Sequence, residues 1–165
     1  MNVIVETPKG SSEKYKYDEN FRLFRLEKTL PAGLVFPFDF GFIHGTKGDD
    51  GEPLDVLVIS EFRSFPGCIM DCRIVGCIEG NQSQETTKFR SDRFLAVPEQ
   101  SSVFENVISI EDIPSTLITE IESFFINYMH GEGKELHLLG NLNASQAISL
   151  LSKIAGTTEI FSTTV

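Results

Sequence analysis

Three carboxylates stand within six positions of this chain, at Asp50, Glu52 and Asp55. Asp55 lies at the head of an apolar run, residues 54–59, that is typical of a buried strand. A carboxylate in such a place costs free energy unless a cation or several hydrogen-bond donors meet it. The pattern therefore predicts a metal ion, a basic partner or a set of donors at Asp55. Asp50 and Glu52 alone are equally typical of an exposed turn.

The composition indicates a globular protein that is long enough to bury a full core. The chain has 165 residues, of which 41% are hydrophobic, with 14 Phe and no Trp. This length predicts a single domain over residues 1–165. The net charge is −10 and no block of basic residues occurs, which disfavours a nucleic-acid or anionic membrane surface as partner. A small anionic substrate stays compatible with this charge, because bound metal ions can invert the local field.

The N-terminus lacks a basic segment followed by a long apolar one, and no window approaches the roughly 20 apolar residues of a membrane span. We therefore expect a cytoplasmic protein without a membrane partner. The three cysteines, Cys68, Cys72 and Cys77, are an odd number with no Cys-x-x-Cys pair, which indicates buried free thiols in a reducing compartment.

The elements that must position these residues follow from hydrophobic periodicity. Short runs separated by turn residues predict strands at residues 3–6, 14–17, 21–26, 54–60, 68–79 and 94–97. Residues 30–53 hold too many glycines and prolines for a long regular element, and we expect a long loop there. The polar stretch 80–87 is typical of an exposed hairpin loop.

Helical spacing begins only after Pro114. Apolar residues from Leu117 to Met129 predict an amphipathic helix that ends near Gly131. A second helix is predicted to start at Asn143, with Gln146 three residues on as its capping partner, and to stop at Gly156 before a frayed tail, residues 157–165. Strands followed by helices indicate an α+β, mainly β fold in which two C-terminal helices pack outside a small barrel.

The segment from Asp50 to Val56 resembles the signature of the soluble family I inorganic pyrophosphatases. Further similar segments follow in the family's order from residue 3 to about residue 150: residues 5–8, 14–15, 24–25, 36–43, 65–67, 73–76, 95–98, 112–114 and 124–128. The resemblance implies a five-stranded OB-like barrel with flanking helices. It also implies hydrolysis of pyrophosphate to two phosphates with several divalent ions, Mg²⁺ or, in its place, Mn²⁺. Relatives form homo-oligomers, and we expect one here.

The resemblance also assigns roles to individual residues. It implies metal ligands at Asp50 and Asp55 and a supporting acid at Glu6. It implies phosphate-binding side chains at Lys14, Arg25 and Tyr128, the last of which contacts the substrate in catalysis. Without the resemblance, Lys14 reads as a solvated strand residue, Arg25 as a structural ion-pair partner and Tyr128 as a core residue of its helix.

The chain departs from the family pattern at several positions. Glu52 replaces the central acid that activates water. Phe36 and Phe40 replace tyrosines, Met129 replaces a phosphate-binding lysine, and Lys16 replaces an acid. The loop of residues 80–91 has no clear match to one metal-binding Asp of the family, for which Glu85 is the candidate substitute. Near residue 92 the family has a further acid two residues before a lysine. Arg93 is expected to take over phosphate binding from this lysine, and the acid has become Ser91 or moved to Asp92.

Two functions follow from this pattern. The first is an Mg²⁺-dependent pyrophosphatase with a rearranged site, in which Glu6, Asp50, Asp55 and Asp92 serve the metal and Glu52 activates water. In it Lys14, Arg25, Arg93 and Tyr128 hold the phosphates. The alternative is a catalytically degenerate relative that binds a phosphate-containing ligand or a protein partner.

Overall fold

The computed structural model describes residues 1–155 of the chain. The elements of this part, in chain order, are β1 (Asn2–Thr7), β2 (Glu13–Asp18), β3 (Leu23–Thr29), β4 (Asp39–Ile43), β5 (Asp55–Val58), β6 (Ile69–Gln84), β7 (Thr87–Arg90), β8 (Arg93–Pro98), α1 (Ser115–Gly131), β9 (Glu135–Asn143) and α2 (Ala144–Ala155), with a short 3-10 helix at Ile110–Asp112 before α1. The expectation of a mainly β protein with two helices towards its C-terminal end is confirmed.

Five strands pair in a cycle. β1 pairs with β4, β4 with β5, β5 with β8, β8 with β6, and β6 again with β1. All of these pairings are antiparallel except that of β5 with β8, which is parallel. The pairing order agrees with the five-stranded arrangement that the resemblance implies. β2 and β3 form a separate two-stranded hairpin.

The 16-residue strand β6 pairs with more neighbours than any other strand in residues 1–155. Its first part pairs with β1 and β8, and its later part pairs with β7 and β9. A strand of this length carries the sheet well beyond the five-stranded cycle.

Two apolar clusters lie on opposite faces of the strands, because successive side chains of a strand point to opposite sides. In β5, Leu57 belongs to the first cluster, whereas Val56 and Val58 belong to the second. The first cluster packs under α1 through its buried residues, Ile118, Ile121, Phe124, Phe125, Tyr128 and Met129. The second includes Ala147 and Leu151 of α2.

The helix boundaries agree closely with the sequence prediction. Pro114 is the N-cap residue of α1, and the helix ends at Gly131. At the start of α2, Asn143 Oδ1 accepts a hydrogen bond from Gln146 N at 2.9 Å, and Gln146 Oε1 accepts one from Asn143 N at 3.0 Å. This reciprocal pair is the capping arrangement that the sequence predicted. The predicted tail, residues 157–165, lies outside the described residues.

Four predictions about the strands differ from the structure. The region of residues 30–53 contains the strand β4, and residues 80–87 mostly belong to β6 and β7, whose hairpin turns at Glu85. β9 lies between the two helices, so the strands do not all precede them. β3 begins at Leu23, two residues later than predicted, because Arg22 has a positive φ of 53° in the preceding turn.

The cysteines are free thiols, as predicted: Cys72 and Cys77 are buried, and Cys68 is half-buried. Burial raises the pKa of the Cys72 thiol to about 12. Neither helix of residues 1–155 has the length and apolar character that crossing a bilayer requires.

Candidate active site

The parallel pairing of β5 and β8 brings an acid and a base together. Val56 pairs with Phe94, so that Asp55 and Arg93 are the first residues of two adjacent parallel strands. Arg93 Nη1 lies 3.0 Å from Asp55 Oδ2, with 11% of the Arg93 side chain and 36% of the Asp55 side chain exposed. The cation that Asp55 was expected to meet is therefore an arginine of the same chain.

Arg93 keeps an unused donor at this site. Its Nη1 also donates to the main-chain oxygen of Asp92 at 3.1 Å, and its guanidinium carbon lies 5.4 Å from the centre of the Phe125 ring. Its Nε is buried and has no acceptor among residues 1–155. Because a buried donor without an acceptor is costly, this atom marks a position where an acceptor oxygen of a ligand would fit.

Glu6 stands next to this pair. It is buried in β1, and its Oε1 accepts a hydrogen bond from Tyr17 N at 2.8 Å. Burial raises its pKa to about 7, the Tyr17 bond opposes this shift, and the negative charge of Asp55 adds to it. The charges of Lys14 and Lys16 lower the pKa of the same carboxyl group. Glu6 and Asp55 are thus close enough for their charges to interact.

Two lysines lie over the face of Tyr128. Lys14 Nζ is 5.6 Å and Lys28 Nζ 4.8 Å from the centre of its ring. Tyr128 is 6% exposed, its hydroxyl lies close to the Lys14 ammonium, and this hydroxyl has no acceptor in the described part of the chain. Lys14 Nζ pairs with Glu27 Oε2 at 3.1 Å, and Lys28 pairs with Glu132. This arrangement offers two ammonium groups and a phenol to an anion.

Lys28 was missed by the sequence prediction. Burial, followed by repulsion from Lys14, lowers its pKa to about 8, and Lys134 adds to the repulsion. Lys134 Nζ lies 3.3 Å from Glu132 Oε2, so that Glu132 contacts two of these lysines. An anion bound between the lysines would relieve their mutual repulsion.

Asp50 and Glu52 lie in the exposed loop between β4 and β5. Asp50 Oδ1 accepts a hydrogen bond from Glu52 N at 3.0 Å, and Glu52 Oε2 lies 3.1 Å from Lys16 Nζ. The base of the loop is fixed by Thr46, whose buried hydroxyl donates to Ile43 O at 2.6 Å and accepts from Leu54 N at 3.0 Å. The pair with Lys16 directs Glu52 towards the hairpin that also carries Lys14.

Arg25 and Asp92 make their contacts elsewhere. Arg25 is 58% exposed, pairs with Asp18 at 2.9 Å, and its guanidinium carbon lies 5.1 Å from the centre of the Phe21 ring. Asp92 accepts hydrogen bonds from Arg90 Nε at 2.7 Å and from Gly80 N at 3.2 Å. The structure thus does not bring these two residues together with Asp55.

The other two candidate positions near Asp92 are Ser91 and Glu85. Ser91 Oγ donates to Gln82 Oε1 at 3.3 Å, and Glu85 lies in the exposed turn between β6 and β7 with a φ of 55°.

Phe36 and Phe40 are buried in the first cluster, where the ring centres of Phe36 and Tyr128 are 5.6 Å apart. Phe36 therefore packs directly against the Tyr128 ring, and Phe40 packs against Phe36 and Phe125.

No three histidine, cysteine, aspartate or glutamate side chains of residues 1–155 gather closely enough to form a ready-made metal cage. Mg²⁺ rarely uses such a cage, because it keeps several waters and binds one or two carboxylates together with substrate phosphates. The carboxylate oxygens of Asp55, Glu6 and Asp50 are donors of the hard type that this ion prefers. The residues present therefore fit an ion whose coordination is completed by water and phosphate.

Comparison with known proteins gives consistent matches. The family model "Inorganic pyrophosphatase" matches residues 3–158. The inorganic pyrophosphatase of Methanosarcina acetivorans is 33% identical over 150 residues, which cover 91% of this chain and 87% of the relative. That of Synechocystis is 33% identical over 153 residues, covering 93% and 88%. The crystal structure of the inorganic pyrophosphatase from Thermus thermophilus superposes with a TM-score of 0.86 at 27% identity, covering 94% of this chain and 89% of that one.

Proposed function

We propose, because this chain belongs to the inorganic pyrophosphatase family, that it hydrolyses pyrophosphate to two phosphates. The observation that carries the proposal is the ion pair of Asp55 with the buried Arg93, since a carboxylate can hold a metal ion and the guanidinium beside it can donate to phosphate. The alternative of a catalytically degenerate binding protein is not favoured by the comparisons.

The basic side chains bind the substrate in this proposal. Lys14 and Lys28 approach a phosphate over the face of Tyr128, and the Tyr128 hydroxyl, which has no acceptor among residues 1–155, donates to one of its oxygens. Arg93 donates through its free Nε to the neighbouring phosphate. Arg25 stays a predicted phosphate ligand on sequence grounds, although in the structure its guanidinium pairs with Asp18.

The family implies a divalent metal cofactor, which we propose to be Mg²⁺. Asp55, Asp50 and Glu6 would hold it, and Asp92 stays a predicted ligand although Arg90 contacts its carboxylate. When bound, such ions supply positive charge to the phosphate oxygens and make a water more acidic.

Glu52 completes the proposed reaction. It accepts a proton from the attacking water, which adds to one phosphorus while the bridging bond from oxygen to that phosphorus breaks. The electron pair of that bond stays on the departing phosphate. Lys16, at 3.1 Å from Glu52, positions this carboxylate.

A cytoplasmic location and a homo-oligomeric state stay predictions.

Phosphate release from pyrophosphate at millimolar Mg²⁺ tests the function. We expect turnover by the wild type and a fall in kcat of at least about 100-fold in Asp55→Asn, because one anchor of the metal charge is lost. Asp49→Asn is the matched control, since Asp49 is an exposed acid in the loop between β4 and β5 and has no proposed role. Equal, negligible release by the wild type and Asp55→Asn would favour the degenerate alternative.

A further inference from the structure

Arg93 forms an ion pair with the Asp55 carboxylate, which a metal ion at this site would need as a ligand. Its Nη1 lies 3.0 Å from Asp55 Oδ2, and the arginine is largely buried, so its positive charge is poorly screened by water. A divalent ion that approaches Asp55 meets this charge at short range. The pair therefore opposes metal binding as long as the guanidinium has no other anion to neutralise it.

The same guanidinium is prepared for a second anion. Its buried Nε lacks an acceptor in the described part of the chain, and Nη1 is held by Asp55 and the Asp92 carbonyl. A phosphate oxygen at Nε would satisfy this donor and balance the arginine charge. Asp55 would then be free to share its carboxylate with a cation.

We propose that Arg93 couples the two ligands, so that metal binding at Asp55 depends on phosphate bound at Arg93. This inference rests on the proposed function and deepens it by naming the residue that makes phosphate a condition for metal binding. The coupling is reciprocal, since an anion that strengthens metal binding is itself bound more tightly when metal is present. Arg93 is in this respect a positioning residue for Asp55 as well as a phosphate ligand.

Calorimetric titration with Mg²⁺, without and with saturating inorganic phosphate, tests the proposal. For the wild type we expect an affinity for Mg²⁺ at least tenfold higher with phosphate. Arg93→Gln removes the opposing charge, and we expect it to bind Mg²⁺ at least tenfold more tightly than the wild type when phosphate is absent. Phosphate should then raise its Mg²⁺ affinity much less than in the wild type.

Two variants control this measurement. Arg63→Gln makes the same charge change at an exposed arginine and should titrate as the wild type does. Arg93→Lys keeps the charge and should retain weak phosphate-free binding. An Arg93→Gln affinity equal to or below that of the wild type without phosphate would overturn the proposal.

A second measurement uses the wild-type protein and does not depend on the folding of Arg93→Gln. The Nε–H signal of Arg93, assigned in proton–nitrogen spectra by its absence in Arg93→Lys, should shift when inorganic phosphate is added to the wild type. An unmoved signal at saturating phosphate would also overturn the coupling. If the wild type hydrolyses pyrophosphate while either of these results contradicts the coupling, the proposed function stands and only this inference fails. A wild type without turnover, and without Mg²⁺ binding even at saturating phosphate, would refute both.

Discussion

Lys28 lies among charges of both signs at the edge of the candidate site. Burial lowers its pKa to about 8, repulsion from Lys14 and Lys134 adds to this shift, and the negative charge of Glu27 opposes it. Lys28 also pairs with Glu132. A lysine with this pKa is charged below pH 8 and neutral above it. Its contribution to anion binding is therefore present at neutral pH and is lost as the pH rises through 8.

The variant Lys28→Arg separates this titration from others in the site, because a guanidinium stays charged up to pH 12 and beyond. We expect the wild-type affinity for inorganic phosphate, measured by calorimetry with Mg²⁺ present, to fall about tenfold more than that of Lys28→Arg between pH 7 and pH 9.5. Lys153→Arg, an exposed substitution in α2, should keep the wild-type profile. Parallel profiles for Lys28→Arg and the wild type would show that Lys28 does not hold the anion.

The contrast between Arg25 and Lys28 shows why the site was only partly predictable. Tyr15 pairs with Leu26 and Lys16 with Arg25, but a register shift places Lys14 opposite Lys28 instead of Glu27. Such a bulge depends on tertiary packing and leaves no clear trace in a single sequence. The acid at Asp55 could be predicted because an unpaired carboxylate in an apolar run demands a cation, whereas its partner Arg93 is 38 positions later and is brought near only by the strand pairing.

At the level of the elements, β4 depends on Gly41. A Cβ at this position would lie 2.0 Å from the main-chain oxygen of Ile4 in β1. The glycine therefore permits the close approach of β1 and β4, two strands of the five-stranded cycle.

We expect Gly41→Ala to lower the free energy of unfolding by more than about 3 kcal/mol, because a backbone atom has to move to make room. Urea denaturation followed by circular dichroism measures this. Gly10→Ala is the comparison: nothing lies within 4 Å of its Cβ, but its φ is +79°, so we expect a loss of about 1 kcal/mol. Similar losses in the two variants would contradict a steric role for Gly41.

β4 and β9 mark the limits of predicting elements from this sequence. The glycines and prolines of residues 30–53 suggested a loop. Gly41 nevertheless belongs to the strand β4, where the absence of a side chain leaves room for the backbone of Ile4 in β1. In β9, Leu136 and Leu138 are half-buried on one face, but a register shift opposite Glu79 and Gly80 ends the alternation. The two helices were predictable because one face of each is consistently apolar and their caps are local.

For the molecule as a whole, we propose that residues 1–165 form one domain. The strands β5, β6 and β8 each contribute side chains to both apolar clusters, so neither cluster can lose its packing without disturbing the other. This shared set of strands favours one cooperative transition over two.

Alanine substitutions in each cluster test this. Ile121→Ala in the first and Leu151→Ala in the second remove fully buried side chains, and each should cost about 2–5 kcal/mol. Tyrosine fluorescence and far-ultraviolet circular dichroism should give coincident urea transitions in both variants and in the wild type. Two separate transitions in either variant would show that the clusters are independent units.

The pairing of β1 with β6 bears on how the chain reaches this structure. The N-terminal ammonium of Met1 donates to Cys72 O, across 71 positions of sequence. Contacts between residues so far apart in sequence form slowly, because the intervening chain must lose conformational entropy before the strands gain their hydrogen bonds. During synthesis β1 can pair with β4 first, but its other edge stays unpaired until β6 emerges, and such an unpaired edge is a surface that a chaperone could protect.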